Sequence, residues 1–315
     1  MKLFLSTVAL FALFNVISGH AGHNHGPGGK HVNIPTKQLN DGNHIPILGL
    51  GTFGFGDIPK IRQAINWAVE AGYRHIDTAA LYDNEAEIGK GISDVLKKGL
   101  VKREDLFITT KLWNDKHAKN QVVPALKESL SKLGLQYVDL YLIHSPEASK
   151  EDGSPADIDY LETWQGMEEA QKLGLAKSIG VSNFDTEQID RIKAHSKVVP
   201  AVNQIEVHPM NTQEKTIKDC FERNIAVVAY SPFGFFVSRG GPSKDDPKIK
   251  SIAQKYGKSI NQVLLRYLIE RGLIPIPKST NQNRMKENLD VFDFHLTPEE
   301  VSTMSSFNTN TSIFG

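Results

Sequence analysis

The chain has a single cysteine, Cys220, among 315 residues. An intramolecular disulfide is therefore excluded, and the fold must be held by its apolar core, which a domain of this length can supply. Net charge is lacking too, since 36 basic side chains are matched by 36 acidic ones. That balance argues against a broad cationic face for nucleic acid, although one phosphorylated small molecule needs only a local cationic site. Beyond Ile17 there is no long apolar run, hence no second stretch approaching the roughly 20 residues of a membrane span.

The first apolar run has an order of its own. Met1-Lys2 puts a positive charge ahead of Leu3 to Ile17, and the small residues Ser18, Gly19 and Ala21 follow. Charged, then apolar, then small is the order of an export signal. A signal peptide over residues 1–20 is expected, cut near Ser18 to Ala21, giving a soluble secreted protein with no stable membrane association. Residues 21–31, rich in Gly and His, read as a flexible linker. Its histidines could hold a metal loosely, but a solvated tail is the simpler reading and no metal site is expected. Asn310-Thr311-Ser312 is a glycosylation sequon, usable only on export. Residues 32–315 then form one domain.

Within that domain β-rich runs alternate with amphipathic ones. Asn40-Asp41-Gly42-Asn43 marks a tight turn and predicts a short hairpin ahead of the main sheet. Eight short strands follow, from Ile47–Leu50 to Leu273–Pro277, each with a helix or helical pair behind it. The last helix is expected near Gln282–Leu289. Strand–helix alternation predicts a parallel sheet with right-handed crossovers, and eight units in about 250 residues fit a closed (β/α)₈ TIM barrel. The alternative is an open doubly wound sheet. Gly49-Leu50-Gly51-Thr52-Phe53-Gly54 matches the spacing of a dinucleotide-binding turn, but Phe55-Gly56-Asp57 does not open a helix at once. The stretch therefore reads as a loop over the barrel mouth.

Reactive residue types end nearly every strand. Asp77, with Tyr82 just beyond, ends the second, Lys111 the third, His144 the fourth and Ser182-Asn183 the fifth. Gln204 lies in the sixth, Tyr230-Ser231 ends the seventh, and Lys278-Ser279 follows the eighth. Singly, each has an ordinary explanation: an Asp77–Lys111 ion pair, a packed Tyr82, a satisfied core His144. Their joint placement at strand ends is harder to explain that way, because a barrel builds its active site on that face.

At these residues the sequence resembles the aldo-keto reductase family. The matching stretches are Gly72 to Glu87, Thr110 to Trp113, Val138 to Pro146, Gly180 to Phe184, Asn203 to Pro209, Ala229 to Pro232 and Ile276 to Ser279. The resemblance implies NADPH-dependent reduction of an aldehyde or ketone. Tyr82 would be the general acid, Lys111 would lower its pKa, Asp77 would hold Lys111, and His144 would orient the substrate oxygen. It further implies that Ser182, Asn183 and Gln204 bond the nicotinamide carboxamide while Tyr230 stacks on the ring. Thr52, Phe53, Ser231 and Phe233 would complete that part of the cofactor site. Lys278, Ser279, Thr280 and Arg284 would hold the 2′-phosphate, a guanidinium fork with an ammonium being well suited to a dianion. Glu287 and Asn288 would meet the adenine.

The substrate wall implied is Phe53, Tyr82, Trp113, His144 and Ser145. Ser145 stands where many members carry an aromatic residue, which removes one wall. The stretch after Phe292 is short, so an open rim is expected, and Phe235 and Phe236 sit in a Gly-rich loop from Phe233 to Asp246 that would cover cofactor or substrate. These features favour a bulky substrate. With export, the chain looks like the insect enzymes that reduce the 3-keto group of 3-dehydroecdysone. A monomer is expected. The alternative function is a cofactor-binding barrel with a structural or regulatory role and little turnover.

Overall fold

The computed structural model describes residues 34–54, 58–234 and 246–314. The signal peptide, the linker, Phe55 to Asp57 and the loop residues Phe235 and Phe236 lie outside them.

A two-stranded antiparallel hairpin comes first, β1 (Thr36–Gln38) and β2 (His44–Pro46), joined by the expected turn, where Gly42 takes φ 89°. Eight parallel strands then follow in sequential order: β3 (Leu50–Gly51), β4 (His75–Asp77), β5 (Phe107–Leu112), β6 (Val138–Ile143), β7 (Ala176–Ser182), β8 (Val202–Glu206), β9 (Ala226–Tyr230) and β10 (Ile274–Pro275). The ring closes between β3 and β10, where the Gly49 and Gly51 amides donate to the Pro275 and Pro277 carbonyls, each at 3.1 Å. Prolines 275 and 277 cannot donate to a ladder, which explains why β10 is shorter than the apolar run around it.

This closure corrects the reading of Gly49 to Gly54 as a loop. Gly51 belongs to β3, and a Cβ there would meet the Ile276 carbonyl oxygen at 2.6 Å. The glycine is needed for strand-to-strand approach, not for a phosphate. Of this stretch, Gly51, Thr52 and Phe53 line the cavity at the mouth.

The core has two layers. Inside the barrel, Leu140, Leu142, Val202, Val228 and Ile274 pack with Leu39 and Ile45 of the hairpin. The hairpin thus plugs the N-terminal end of the barrel, and Asn40 and Asn43 tie it down by bonds to the Pro200 carbonyl and the Ser178 hydroxyl. Outside, the other strand faces meet the apolar stripes of the helices α1 (Ile58–Ala71), α2 (Glu85–Lys97), α3 (Lys119–Leu133), α4 (Tyr160–Lys172), α5 (Thr186–His195), α6 (Glu214–Glu222), α7 (Pro247–Tyr256), α8 (Ile260–Glu270) and α9 (Gln282–Leu289). A plugged bottom leaves the C-terminal face as the place for a site.

One helix was not anticipated: α10 (Pro298–Ser305). Its signal was local, a Thr297/Glu300 capping box with proline at the first turn. Beyond it the chain runs back to the barrel mouth, where the Thr309 and Thr311 amides donate to the Met210 carbonyl. No helix among the described residues is long and apolar enough to cross a membrane.

Candidate active site

The floor of the site is a charged pair with no access to water. Lys111, at the end of β5, is fully buried, and its ammonium lies 2.6 Å from Asp77 Oδ1 and 2.9 Å from the Thr78 carbonyl. Its third contact is the Tyr82 hydroxyl at 3.2 Å. The other Asp77 oxygen accepts from Gln204 Nε2 at 2.7 Å. Burying such a pair is tolerated only when the remaining donors and acceptors are satisfied, and here they are.

Tyr82 is delivered by a short 3₁₀ turn, Ala80–Tyr82, directly after β4. A web of bonds fixes that turn: the Thr52 hydroxyl to the Asp77 carbonyl, Asn84 Nδ2 to the Thr52 carbonyl, and the Thr78 hydroxyl to Asn84 Oδ1. Thr52 therefore serves the scaffold through its hydroxyl, even though it touches the cavity.

The electrostatics depart from the expected sense at one point. Burial would lower the Lys111 pKa, but Asp77 and Tyr82 outweigh it and hold the ammonium charged. For Tyr82, burial pushes the phenol above its usual value of about 10 and wins over the pull of Lys111. Considering Lys111 alone predicted the opposite. Asp77 stands behind the ammonium and cancels much of its field, so desolvation decides. His144 is lowered to about 3, first by burial and then by Lys111, so its ring is neutral. Its Nδ1 is buried with no partner among the described residues, which leaves Nε2 for whatever enters.

Above this floor lies a cavity of about 530 Å³. Tyr82, Trp113 and His144 form one side, with both aromatic rings edge-on to the imidazole at 5.7 and 5.1 Å. Ser145 lies beside them, its hydroxyl donating to Asn114 Oδ1 at 3.1 Å. Ser182, Asn183, Gln204 and Tyr230 form the opposite side. Asn183, at φ 62°, donates to the His144 carbonyl and accepts from the Tyr230 hydroxyl, linking the two sides. The Ser182 hydroxyl donates to the Gln204 carbonyl. Phe53, Ser231 and Phe233 complete the rim from neighbouring loops, and Lys278 stands at the edge.

The remaining expected residues cluster around the start of α9, outside the cavity. Asn281 caps that helix by accepting from the Arg284 amide, and Ser279 accepts from the Asn281 amide. Arg284 is exposed, Thr280 half-buried beside it. A helix N-terminus flanked by Lys278 and Arg284 has the chemistry to hold a phosphate. Glu287 accepts from the Ser259 hydroxyl and Asn288 is buried by Tyr73, so both are tied into the scaffold.

One expectation about the rim fails. The segment after α10 is not short of the mouth: Ile313 and Phe314 line the cavity. Phe314 packs edge-on against Phe53 at 5.7 Å and near Tyr230 at 6.0 Å. Two apolar residues after the polar stretch Asn308 to Ser312 were the hint in the sequence. Leu81 was also missed, for a similar reason. Among the described residues no cluster of three or more His, Cys, Asp or Glu could hold a metal ion.

The model of the aldo/keto reductase family matches residues 47–309. A silkworm protein, aldo-keto reductase AKR2E4 of Bombyx mori, is 60% identical over 290 residues, covering 89% of this chain and 94% of its own length. Aldo-keto reductase family 1 member C15 of Rattus norvegicus is 43% identical, covering 87% and 91%. The crystal structure of the Bombyx mori AKR2E4 protein in complex with NADP superposes with a TM-score of 0.86 at 59% identity, over 88% of this chain and 94% of that one. A second silkworm reductase, AKR2E5, in its complex with NADPH gives 0.87 at 44% identity over 89% and 90%.

Proposed function

The chain belongs to the aldo/keto reductase family, an NADP-dependent oxidoreductase acting on carbonyls, and on that premise we propose an exported, monomeric reductase of bulky ketones, 3-ketoecdysteroids in particular. The observation that carries the chemistry is the Tyr82–Lys111–Asp77 chain, a protonated phenol backed by a charged, fully buried ammonium.

The donor set fits the cofactor. Polar groups of Ser182, Asn183 and Gln204 beside the Tyr230 ring suit a carboxamide on an aromatic ring, and the cationic start of α9 suits a phosphate. When bound, the dihydronicotinamide supplies a hydride, which the protein positions. Tyr82 Oη gives its proton to the substrate oxygen. The phenolate left behind faces the Lys111 ammonium, and Asp77 keeps that ammonium from drifting. Neutral His144 offers a hydrogen bond to the same oxygen without competing as a proton source.

Three things support the choice of substrate. The cavity volume is within the roughly 300–1,000 Å³ range of small-molecule sites. Ser145 lowers one wall and turns its hydroxyl away to Asn114. The likeness to two silkworm reductases fits an insect substrate. Export rests on the charged–apolar–small order of the first 21 residues. A regulatory barrel with little turnover is disfavoured, because the proton-donating chain is complete.

The test is incubation of the protein with NADPH and 3-dehydroecdysone. Formation of ecdysone with matching loss of NADPH absorbance is expected. Turnover of small aldehydes with no ecdysone would remove the steroid while leaving the reductase. Secretion is checked by expressing the full chain in insect cells and finding it in the medium, shortened by about the signal's length.

A further inference from the structure

Glu206, the last residue of β8, is buried although the chemistry of the site makes no use of it. Its carboxylate is crowded with donors, most of them from the segment after α10. Oε1 accepts from the Ile313 amide at 2.8 Å and Oε2 from the Ser312 hydroxyl at 2.7 Å, with the Phe314 amide at 3.3 Å. The remaining donor is His208 Nε2, at 2.9 Å from Oε1. His208 is itself fully buried. Burial would raise the Glu206 pKa, but these donors outweigh it and keep the carboxylate ionised.

A second contact converges on the same place. Gly234, in the loop after β9, sits so close that a Cβ would collide with the His208 ring and meet Ile313 Cδ1 at 2.6 Å. Two elements thus meet at the carboxylate, the end of β8 and the segment that follows α10, and the loop after β9 packs against His208 and Ile313 beside it. What they hold in place is Phe314, the ring that closes the cavity against Phe53 and Tyr230.

We propose that Glu206, braced by His208, is a positioning residue for substrate selectivity: it latches Ser312 to Phe314 so that the Phe314 ring forms the apolar wall that grips a bulky substrate. The wall missing at Ser145 is replaced by one across the cavity, on a segment from outside the barrel that the end of β8 ties down. Charge-assisted bonds to a buried carboxylate are strong, and an amide in its place turns one acceptor into a donor facing other donors. This inference deepens the substrate reading above and rests on it.

The test compares the parent with Glu206→Gln, Phe314→Ala and the double variant. In the protein without cofactor, Glu206→Gln should speed amide hydrogen exchange at Ile313 and Phe314 by about tenfold or more, with the β-strand amides unchanged. With NADPH, its KM for a steroid 3-ketone should rise about tenfold while kcat for 4-nitrobenzaldehyde stays within about threefold. Phe314→Ala should raise the steroid KM similarly, and the double variant should be no worse than either single one. If Glu206→Gln does not fold, Ser312→Ala, which leaves the barrel interior intact, should move both readouts the same way to a smaller extent. Unchanged exchange at residues 313 and 314, multiplicative effects in the double variant, or equal losses on both substrates would overturn the latch. A parent that reduces neither substrate would instead refute the functional reading, and the exchange data would still judge the latch.

Discussion

The floor and the rim of the cavity are built on different principles. On the floor, Asp77, Lys111 and Gln204 stand on strands β4, β5 and β8, fully or almost fully buried, with the Asp77 carboxylate paired to Lys111 at 2.6 Å and bonded by Gln204 at 2.7 Å. At the rim, Phe53 is 51% exposed and Phe314 57%, and both come from segments between or beyond the strands. The floor is held by electrostatics that tolerate almost no displacement. The rim is held by aromatic contacts and one latch. Chemistry that must stay constant sits on the sheet, while selectivity sits where a change of side chain costs the fold little.

That contrast predicts a gradient of effects. The largest belongs to Lys111→Met. It leaves the Asp77 carboxylate buried without its counter-ion, and loss of one partner from a buried pair costs about 3–5 kcal/mol. Denaturant unfolding should register that loss, and carbonyl reduction should fall with it. A stable, active variant would mean that the floor is not held by charge.

Next comes Arg284→Ala at the start of α9. A guanidinium–phosphate contact is worth about 1.5–3 kcal/mol, so KM for NADPH should rise roughly 10- to 100-fold. KM for NADH should hardly move. Equal effects on both cofactors would dissociate Arg284 from the 2′-phosphate.

Acid should weaken the scaffold before it touches the chemistry. His75 and His117 are lowered to about 4 and His144 to about 3, in each case chiefly by burial. Below pH 6.5 the unfolded chain takes up protons at these positions that the folded one refuses, so stability falls from about pH 6.5 towards 4. At pH 5 each histidine contributes a loss of about 2 kcal/mol. Melting temperatures between pH 7 and 5 measure this. Over pH 6 to 9 kcat for reduction should be flat, because Tyr82 stays protonated and His144 neutral.

The smallest effect is expected at the rim. Ser145→Trp would fill the lowered wall, raising KM for a steroid ketone a few-fold and leaving small aldehydes alone, as expected for uniform binding. A matching fall in kcat would tie Ser145 to the floor instead.

The same contrast explains what could be read from the sequence. Strand ends were legible because each polar residue closes an apolar run, and the barrel follows from eight such runs. The hairpin was legible from its Asn-Asp-Gly-Asn turn. Gly49 and Gly51 misled, since glycines are usual in loops and close strand approach calls for the same residue. The sense of the Tyr82 shift was missed because it depends on how much of the phenol is buried, a tertiary quantity. Phe314 was missed because its place is set by Glu206, more than 100 positions earlier in the chain. No local pattern carries that information.

On the floor Tyr82 donates the proton, while other residues hold the cofactor. Tyr82→Phe separates the two roles when NADPH binding, by fluorescence titration, and carbonyl turnover are measured in the same preparation. An NADPH Kd within about twofold of the parent is expected, with a turnover lower by about 10²- to 10⁴-fold, the range of a lost general acid. Turnover equal to that of the parent, with NADPH still bound, would contradict a proton-donating Tyr82.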